Sequence, residues 1–131
     1  MIKILVVDDE PGICDMLKKT FSTIGFKVFS ATSGLQALEL AKKEKPKVVF
    51  LDVRMLGMSG LEVLEKIKEM DSQARVNIVT VLADEETKAE AKKLGADEFI
   101  TKPFVSEYLE EITMRQVNEL VKQRERAHAG S

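Results

Sequence analysis

Ile2-Lys3-Ile4-Leu5-Val6-Val7-Asp8-Asp9-Glu10-Pro11 holds an apolar run, an acidic pair and a helix start within ten consecutive residues. The run Ile2–Val7 is short and rich in Val and Ile, which predicts a strand. Its near-continuous apolar character suits a strand buried on both faces of a parallel sheet. Asp9-Glu10-Pro11 then opens a helix, since proline fits the first helical turn. The rest of the chain repeats this alternation. Val48–Leu51, Val76–Leu82 and Glu98–Thr101 are further short runs rich in Val, Ile and Phe. Lys27–Ala31 is more polar and predicts an edge strand, where a lysine discourages strand-to-strand association.

Helix patterns with start and stop signals lie between the runs. Ile13, Leu17, Phe21 and Ile24 give the first helix its face, and Gly25 ends it. Ser33 opens the second, Leu35, Leu38 and Ala41 line it, and Pro46 lies just beyond. Ser59-Gly60-Leu61-Glu62 has capping-box spacing for the third, with Leu61, Leu64 and Ile67 inward. Asp84 opens the fourth and Gly95 closes it. Its apolar face is thin, essentially Thr87, Ala91 and Leu94, so it is expected to be the most loosely held helix. The last begins near Ser106, with Glu107, Glu110 and Glu111 early and Arg115, Lys122, Arg124 and Arg126 late, as the helix dipole favours.

Five strands alternating with five helices specify an α/β domain with a parallel sheet, because parallel neighbours need crossover helices. Ligands of such sheets bind outside the carboxyl ends of the strands, where strand order reverses. Functional residues are therefore expected at the ends of the first, third, fourth and fifth strands. The composition sets the outer bounds. A length of 131 residues is one domain with little left over. Apolar residues at 44% suffice for one packed core and exceed what a disordered chain carries. With 20 basic against 22 acidic residues the chain lacks the basic surplus of a bare nucleic-acid binder. No apolar run approaches the roughly 18 residues of a membrane helix, and the N-terminus lacks a signal-peptide pattern. The single cysteine, Cys14, excludes an intramolecular disulfide and a multi-cysteine metal cage. A soluble, cytoplasmic domain is the expectation.

Asp8 and Asp9 follow the first strand, Asp52 the third, Thr80 the fourth, and Lys102-Pro103 the fifth. Taken singly, each has a bland reading: Asp-Asp as a helix cap, Asp52 as a turn residue, Thr80 as a β-branched strand residue, Lys-Pro as a solvated turn. Parallel strands would gather all of them at one edge. Three carboxylates there would repel one another unless something positive joined them. A hard divalent cation takes oxygen ligands, and Mg²⁺ is the expected occupant beside a phosphate. Lys102 adds a point charge suited to phosphate oxygen, and Thr80 offers a hydroxyl. A side-chain carboxylate can attack phosphorus, so the cluster reads as a phosphoryl-accepting site.

At these residues the sequence resembles the receiver domains of two-component response regulators. The resemblance covers about residues 2–121 and rests on Leu5-Val6-Val7-Asp8-Asp9-Glu10, Leu51-Asp52-Val53-Arg54-Met55, Gly57-Met58-Ser59-Gly60, Thr80 and Leu94-Gly95-Ala96-Asp97-Glu98-Phe99-Ile100-Thr101-Lys102-Pro103-Phe104. It implies a doubly wound, flavodoxin-like fold with five parallel strands in order 2-1-3-4-5 flanked by five helices. It implies Asp52 as the phosphorylated residue, with Thr80 and Lys102 holding phosphoryl oxygens. Mg²⁺ would be held by Asp8, Asp9, Asp52 and the main-chain carbonyl of Arg54. Thr80 and Phe99 take the switch positions, with a plain core aromatic as the alternative for Phe99, and the Lys102-Pro103 bond is expected to be cis. The implied partner is a sensor histidine kinase or phosphotransfer protein. The implied output is a change on the surface of the fourth helix, fifth strand and last helix, through which, or through the last helix, a homodimer could form. The chain itself is expected to bind neither nucleic acid nor membrane.

Departures from the family pattern qualify this. Leu56 stands where proline is usual, which loosens the loop. Val81 follows Thr80 where Ala or Gly is usual, narrowing access to Asp52. Arg54 and Leu82 flank the path of hydrolytic water in the family, and suggest a long-lived phosphoryl state. The last helix could run about 21 residues, from Ser106 to Arg126, before a frayed Ala127–Ser131. Residues 1–121 are read as the receiver and 122–131 as the helix end and tail, a possible linker to an absent output domain, since too few residues follow for a DNA-binding domain. Asp15 and Lys18 on the first helix are candidate kinase contacts; Cys14 and His128 are assigned no function. Two competing functions remain. One is a receiver-like interaction module that works without phosphorylation. The other is a Mg²⁺-dependent aspartyl-phosphate phosphohydrolase, which the placing of Arg54 where such enzymes carry an acid/base Asp disfavours. The domain is expected to be no enzyme beyond its own phosphorylation and dephosphorylation.

Overall fold

The computed structural model describes residues 2–129. Along the chain it comprises β1 (Lys3–Val7), α1 (Pro11–Thr23), β2 (Lys27–Ala31), α2 (Gly34–Glu44), β3 (Val48–Leu51), α3 (Gly60–Met70), β4 (Arg75–Thr80), α4 (Glu85–Lys93), β5 (Glu98–Thr101) and α5 (Ser106–Ala129). The strands pair in parallel in the order β2-β1-β3-β4-β5. This is the doubly wound sheet that the alternation and the resemblance imply.

Strand alternation divides the core in two. Leu5, Val7, Val49, Leu51, Val76 and Ile78 face the helices α2, α3 and α4. Ile4, Val6, Val48, Phe50, Val79 and Ile100 face α1 and α5, where the rings of Phe21 and Phe50 stack with centroids 5.0 Å apart. The three central strands are therefore covered on both faces, as their apolar runs require. β2 is an edge strand with Lys27 exposed, as predicted.

β5 forms the other edge, as the order 2-1-3-4-5 implies; it departs from expectation only in burial, with Ile100 its one buried residue. β4 stops at Thr80 rather than Leu82, because the chain turns there and the Leu82 N–H donates to Thr80 Oγ1. On α2, Leu35 is 64% exposed; Gly34, Ala37 and Ala41, at spacings of three and four, form the inward face instead. Ile24 caps α1 at its exposed end rather than packing, and Gly25 takes the left-handed turn at φ 98. The thin face of α4 is as read, with Ala91 its buried residue. α5 is longer than read. It stays helical through Ala129, into the stretch expected to fray, while the rest of that stretch, Gly130 and Ser131, lies outside the described residues. Among the described residues no helix is long and apolar enough to cross a membrane.

One buried feature has no signal in the hydrophobic pattern. Asn77 of β4 and Gln116 of α5 exchange two amide hydrogen bonds, of 3.0 and 2.7 Å, between side chains almost fully removed from solvent. Each amide satisfies the other, so the pair fixes the rotation of α5 on the sheet. Asn77→Leu and Gln116→Leu each orphan a buried amide and are expected to lower stability by about 1–3 kcal/mol, with the double variant recovering part of the loss. Denaturant midpoints measure this; single losses that simply add in the double variant would show that the amides act independently.

Candidate phosphoryl-acceptor site

Sheet register delivers the site. Val7 lies beside Leu51, and Thr80 beside Thr101, so the chain leaves β1, β3, β4 and β5 along one edge. The ladder continues one residue further: the Asp8 N–H donates to the Ala31 carbonyl and the Asp52 N–H to the Val7 carbonyl. Asp8 and Asp52 are thereby held side by side, 3% and 5% exposed. Lys102 follows β5, held by its N–H to the Thr80 carbonyl, and reaches across. Its ammonium donates to Asp8 Oδ2 at 2.7 Å and to Asp52 Oδ2 at 2.8 Å. The other carboxylate oxygens are held by the backbone: Asp8 Oδ1 accepts from the Glu10 N–H, and Asp52 Oδ1 from the Arg54 N–H.

Gly60 allows the loop after β3 to close. Its N–H donates to the Val53 carbonyl, and a Cβ at this position would collide with the Asp52 carbonyl oxygen, a backbone atom that no rotamer change can move.

An open cleft of about 630 Å³ is lined by the buried Asp52 together with Asp9, Glu10, Arg54 and Lys102 and the apolar Met55, Leu56 and Val81. Leu56 is 88% exposed and Val81 54%, so both departures from the family pattern stand at the mouth. Leu82 instead lies half-buried against the apolar core. Thr80 is fully buried, its hydroxyl oxygen accepting from the Leu82 N–H at 3.3 Å. Phe99 packs on the α2–α4 side of the core, with the Lys88 ammonium 6.0 Å from its ring centre. The Lys102-Pro103 peptide is cis. Cys14 is buried beneath the site, its thiol donating to the Asp8 carbonyl, and burial pushes its pKa up, so it packs rather than reacts.

The electrostatics follow from burial. Desolvation pushes the Asp8 carboxyl above its ordinary value, although Lys102 and the Glu10 N–H pull it down. Burial would depress Lys102, but its hydrogen bonds with Asp52 and Asp8 outweigh that and hold the ammonium above its ordinary value. The donor set suits a hard divalent cation. The carboxylate oxygens of Asp8, Asp9 and Glu10 lie within 4.8 Å of one another, with Asp52 beside Asp8 through Lys102. One ammonium against Asp8, Asp9 and Asp52 leaves an excess of two negative charges. Glu10 belongs to this oxygen cluster and was not singled out as a ligand from sequence, although it directly follows the acidic pair.

Comparison with known proteins finds close relatives of the whole domain. The family model for the response regulator receiver domain matches residues 4–114. The chain is 42% identical over 102 residues to sporulation initiation phosphotransferase F of Bacillus subtilis (strain 168), covering 78% of this chain and 82% of that protein. It is 33% identical over 117 residues to chemotaxis protein CheY of the same organism, covering 88% and 98%. The crystal structure of a CheY-like receiver domain protein from Methanospirillum hungatei JF-1 superposes with a TM-score of 0.91 at 28% identity, covering 94% of this chain and 98% of that one. Several other curated relatives are longer, and the chain spans 24–47% of their length.

Replacing Lys102 by Met leaves two buried carboxylates without their cation, and in chelator-containing buffer it is expected to cost on the order of 3 kcal/mol at pH 7. The sign follows from Asp8. Its folded pKa lies above the unfolded 3.8, so its burden on the fold is absent below pH 3.8 and fully present above the raised folded value. The cost of Lys102→Met should therefore shrink as pH falls through that window. Urea midpoints at pH 7 and pH 4 check this, and an equal cost at both would refute it.

Proposed function

The chain belongs to the response-regulator receiver family, whose members are signalling domains that work with histidine kinases or phosphotransfer proteins, and on that premise we propose that it is a phosphorylation-switched module with Asp52 as phosphoacceptor. The observation that carries this reading is the bridge from Lys102 to both Asp8 and Asp52 at the floor of an open cleft. An Asp52 oxygen attacks the phosphorus of a phosphohistidine. The new O–P bond forms as the N–P bond breaks, and the departing imidazole takes up a proton from solvent. Lys102 stays protonated throughout and follows the negative charge from the carboxylate to the phosphoryl oxygens. Asp8, Asp9, Asp52 and the Arg54 carbonyl are the groups that would hold Mg²⁺, which when bound neutralises charge on the transferring group.

Thr80 then gives up its bond from Leu82 and donates its hydroxyl to a phosphoryl oxygen, and Phe99 turns into the space it leaves. Lys88 over the Phe99 ring links that movement to α4. The face of α4, β5 and α5 is the proposed output and a possible homodimer surface, with the far end of α5 as the other. Residues 1–121 form the receiver in this reading, and 122–131 lead toward an output segment or partner. The reading sets the protein in the cytoplasm beside its donor and leaves direct nucleic-acid and membrane binding to other chains.

Val81 and Leu56 at the cleft mouth favour slow reaction with small phosphodonors. The long-lived phosphoryl state rests on Arg54, which lines the cleft, and on the half-buried Leu82. The same two apolar residues are what a phosphorylation-independent module would retain, and that is the second reading.

Intact mass after incubation with phosphoramidate and Mg²⁺ tests all of this. One phosphoryl group is expected on the wild type, and none on Asp52→Asn or with chelator. Val81→Ala should raise the rate about threefold or more. The phosphoprotein should persist for minutes; decay within seconds would reject the slow-hydrolysis reading, and labelling of Asp52→Asn would reject the nucleophile.

A further inference from the structure

α5 outruns the sheet it packs on. Its last buried side chain is Gln116, and residues 121–129 are all exposed. Leu120, Arg124 and Ala127 recur at spacings of four and three, so they share one side of the helix. Opposite them stand Ile2, before β1, and Lys45 and Lys47, before β3. The open groove between measures about 700 Å³. Past Lys45 and Lys47 it adjoins a second hollow of about 460 Å³ with Ile67, Met70 and Ala74 among its walls. Both lie at the amino ends of the strands, the opposite end of the sheet from Asp52.

Every charged side chain lining the larger groove is cationic: Lys45, Lys47 and Arg124. Lys47 is paired with Asp71. Among the described residues, neither Lys45 nor Arg124 has an acidic side chain within ion-pair distance. Cations at helix carboxyl ends complement the dipoles of α2 and α5. The dipoles do not account for the apolar wall of Ile2, Leu120 and Val121 that these cations border.

We propose that this groove docks an acidic amphipathic helix of a partner protein, with apolar side chains against Leu120, Val121 and Ile2 and carboxylates against Lys45 and Arg124. A second copy of the chain fits poorly, because a two-fold contact groove to groove brings the cationic linings of both copies together. A bilayer surface is flat and meets the rim of a concave site without reaching Leu120. Duplex nucleic acid calls for a broad basic surface rather than an apolar trough, and the chain carries a net charge of -2. The proposal is independent of the chemistry at Asp52.

The probe is a helical peptide of about 16 residues with leucines at helical spacing and glutamates elsewhere, titrated into the ¹⁵N-labelled full chain. Saturable amide shifts are expected at Ile2, Lys45, Val121 and Arg124, weakening as salt rises. The double variant Lys45→Asn/Arg124→Glu should bind at least about tenfold more weakly. Asparagine tolerates the left-handed backbone of residue 45, at φ 51, so the fold should survive. An unchanged urea midpoint confirms that it has. A peptide with lysines in place of the glutamates should not bind. No saturable shift, shifts scattered over other exposed lysines, or equal affinity in the double variant would overturn the proposal. So would phosphatidylglycerol vesicles that bind the wild type through Lys45 and Arg124 while the peptide does not.

Discussion

The ammonium of Lys102 is the interaction on which the rest of the site depends. A parallel sheet sets the ends of β1 and β3 side by side, and in this chain both ends carry a buried carboxylate. Two such groups without a cation repel each other and pay desolvation as well. The balancing charge comes from β5, two strands beyond β3, so the site closes only when strands distant in sequence are all in place. The same lysine ties β5 to the ends of β1 and β3, since its one ammonium is shared between Asp8 and Asp52.

Two further constraints fix the frame around that bridge. Gly60 lets α3 begin directly against the backbone of Asp52, in space that a methyl group would fill. The Asn77–Gln116 amide pair joins α5 to β4, the strand that ends in Thr80. A fully satisfied polar pair in an otherwise apolar layer permits one arrangement of α5, where hydrophobic packing alone would tolerate neighbouring rotations. α4 has no such anchor: Ala91 is its one buried residue, and its amino end is held by Asp84 bonding to Thr87. The face made of α4, β5 and α5 thus joins a lightly held helix to a firmly held one.

Much of this was legible from the chain alone, for a definite reason. Alternation between buried runs and amphipathic stretches reports local periodicity, and periodicity sets element type. Gly25 and Pro46 then mark where helices stop. The errors came where burial depends on neighbours. Leu35 has the chemistry of a core residue, but one residue's rotation from Gly34 turns it to solvent. Glu98–Thr101 has the composition of a strand buried on both faces, yet at the edge of the sheet only Ile100 is buried. Asn77 and Gln116 were invisible because a polar residue in a core position carries no signal until its partner is known.

By itself the sequence determined the alternating fold and the residues that meet at the strand ends, because both follow from pattern and from polar side chains placed directly after apolar runs. The tertiary structure alone decided which of those residues touch. Lys102 bonds to Asp8 and Asp52, Thr80 sits beneath the surface bonded to Leu82, and Phe99 lies under Lys88. It also decided that the end of α5 stands clear of the sheet and walls a cationic groove. Distances of this kind depend on how separate segments pack in three dimensions, and pairing across 94 residues, as between Asp8 and Lys102, leaves no periodic trace in the chain.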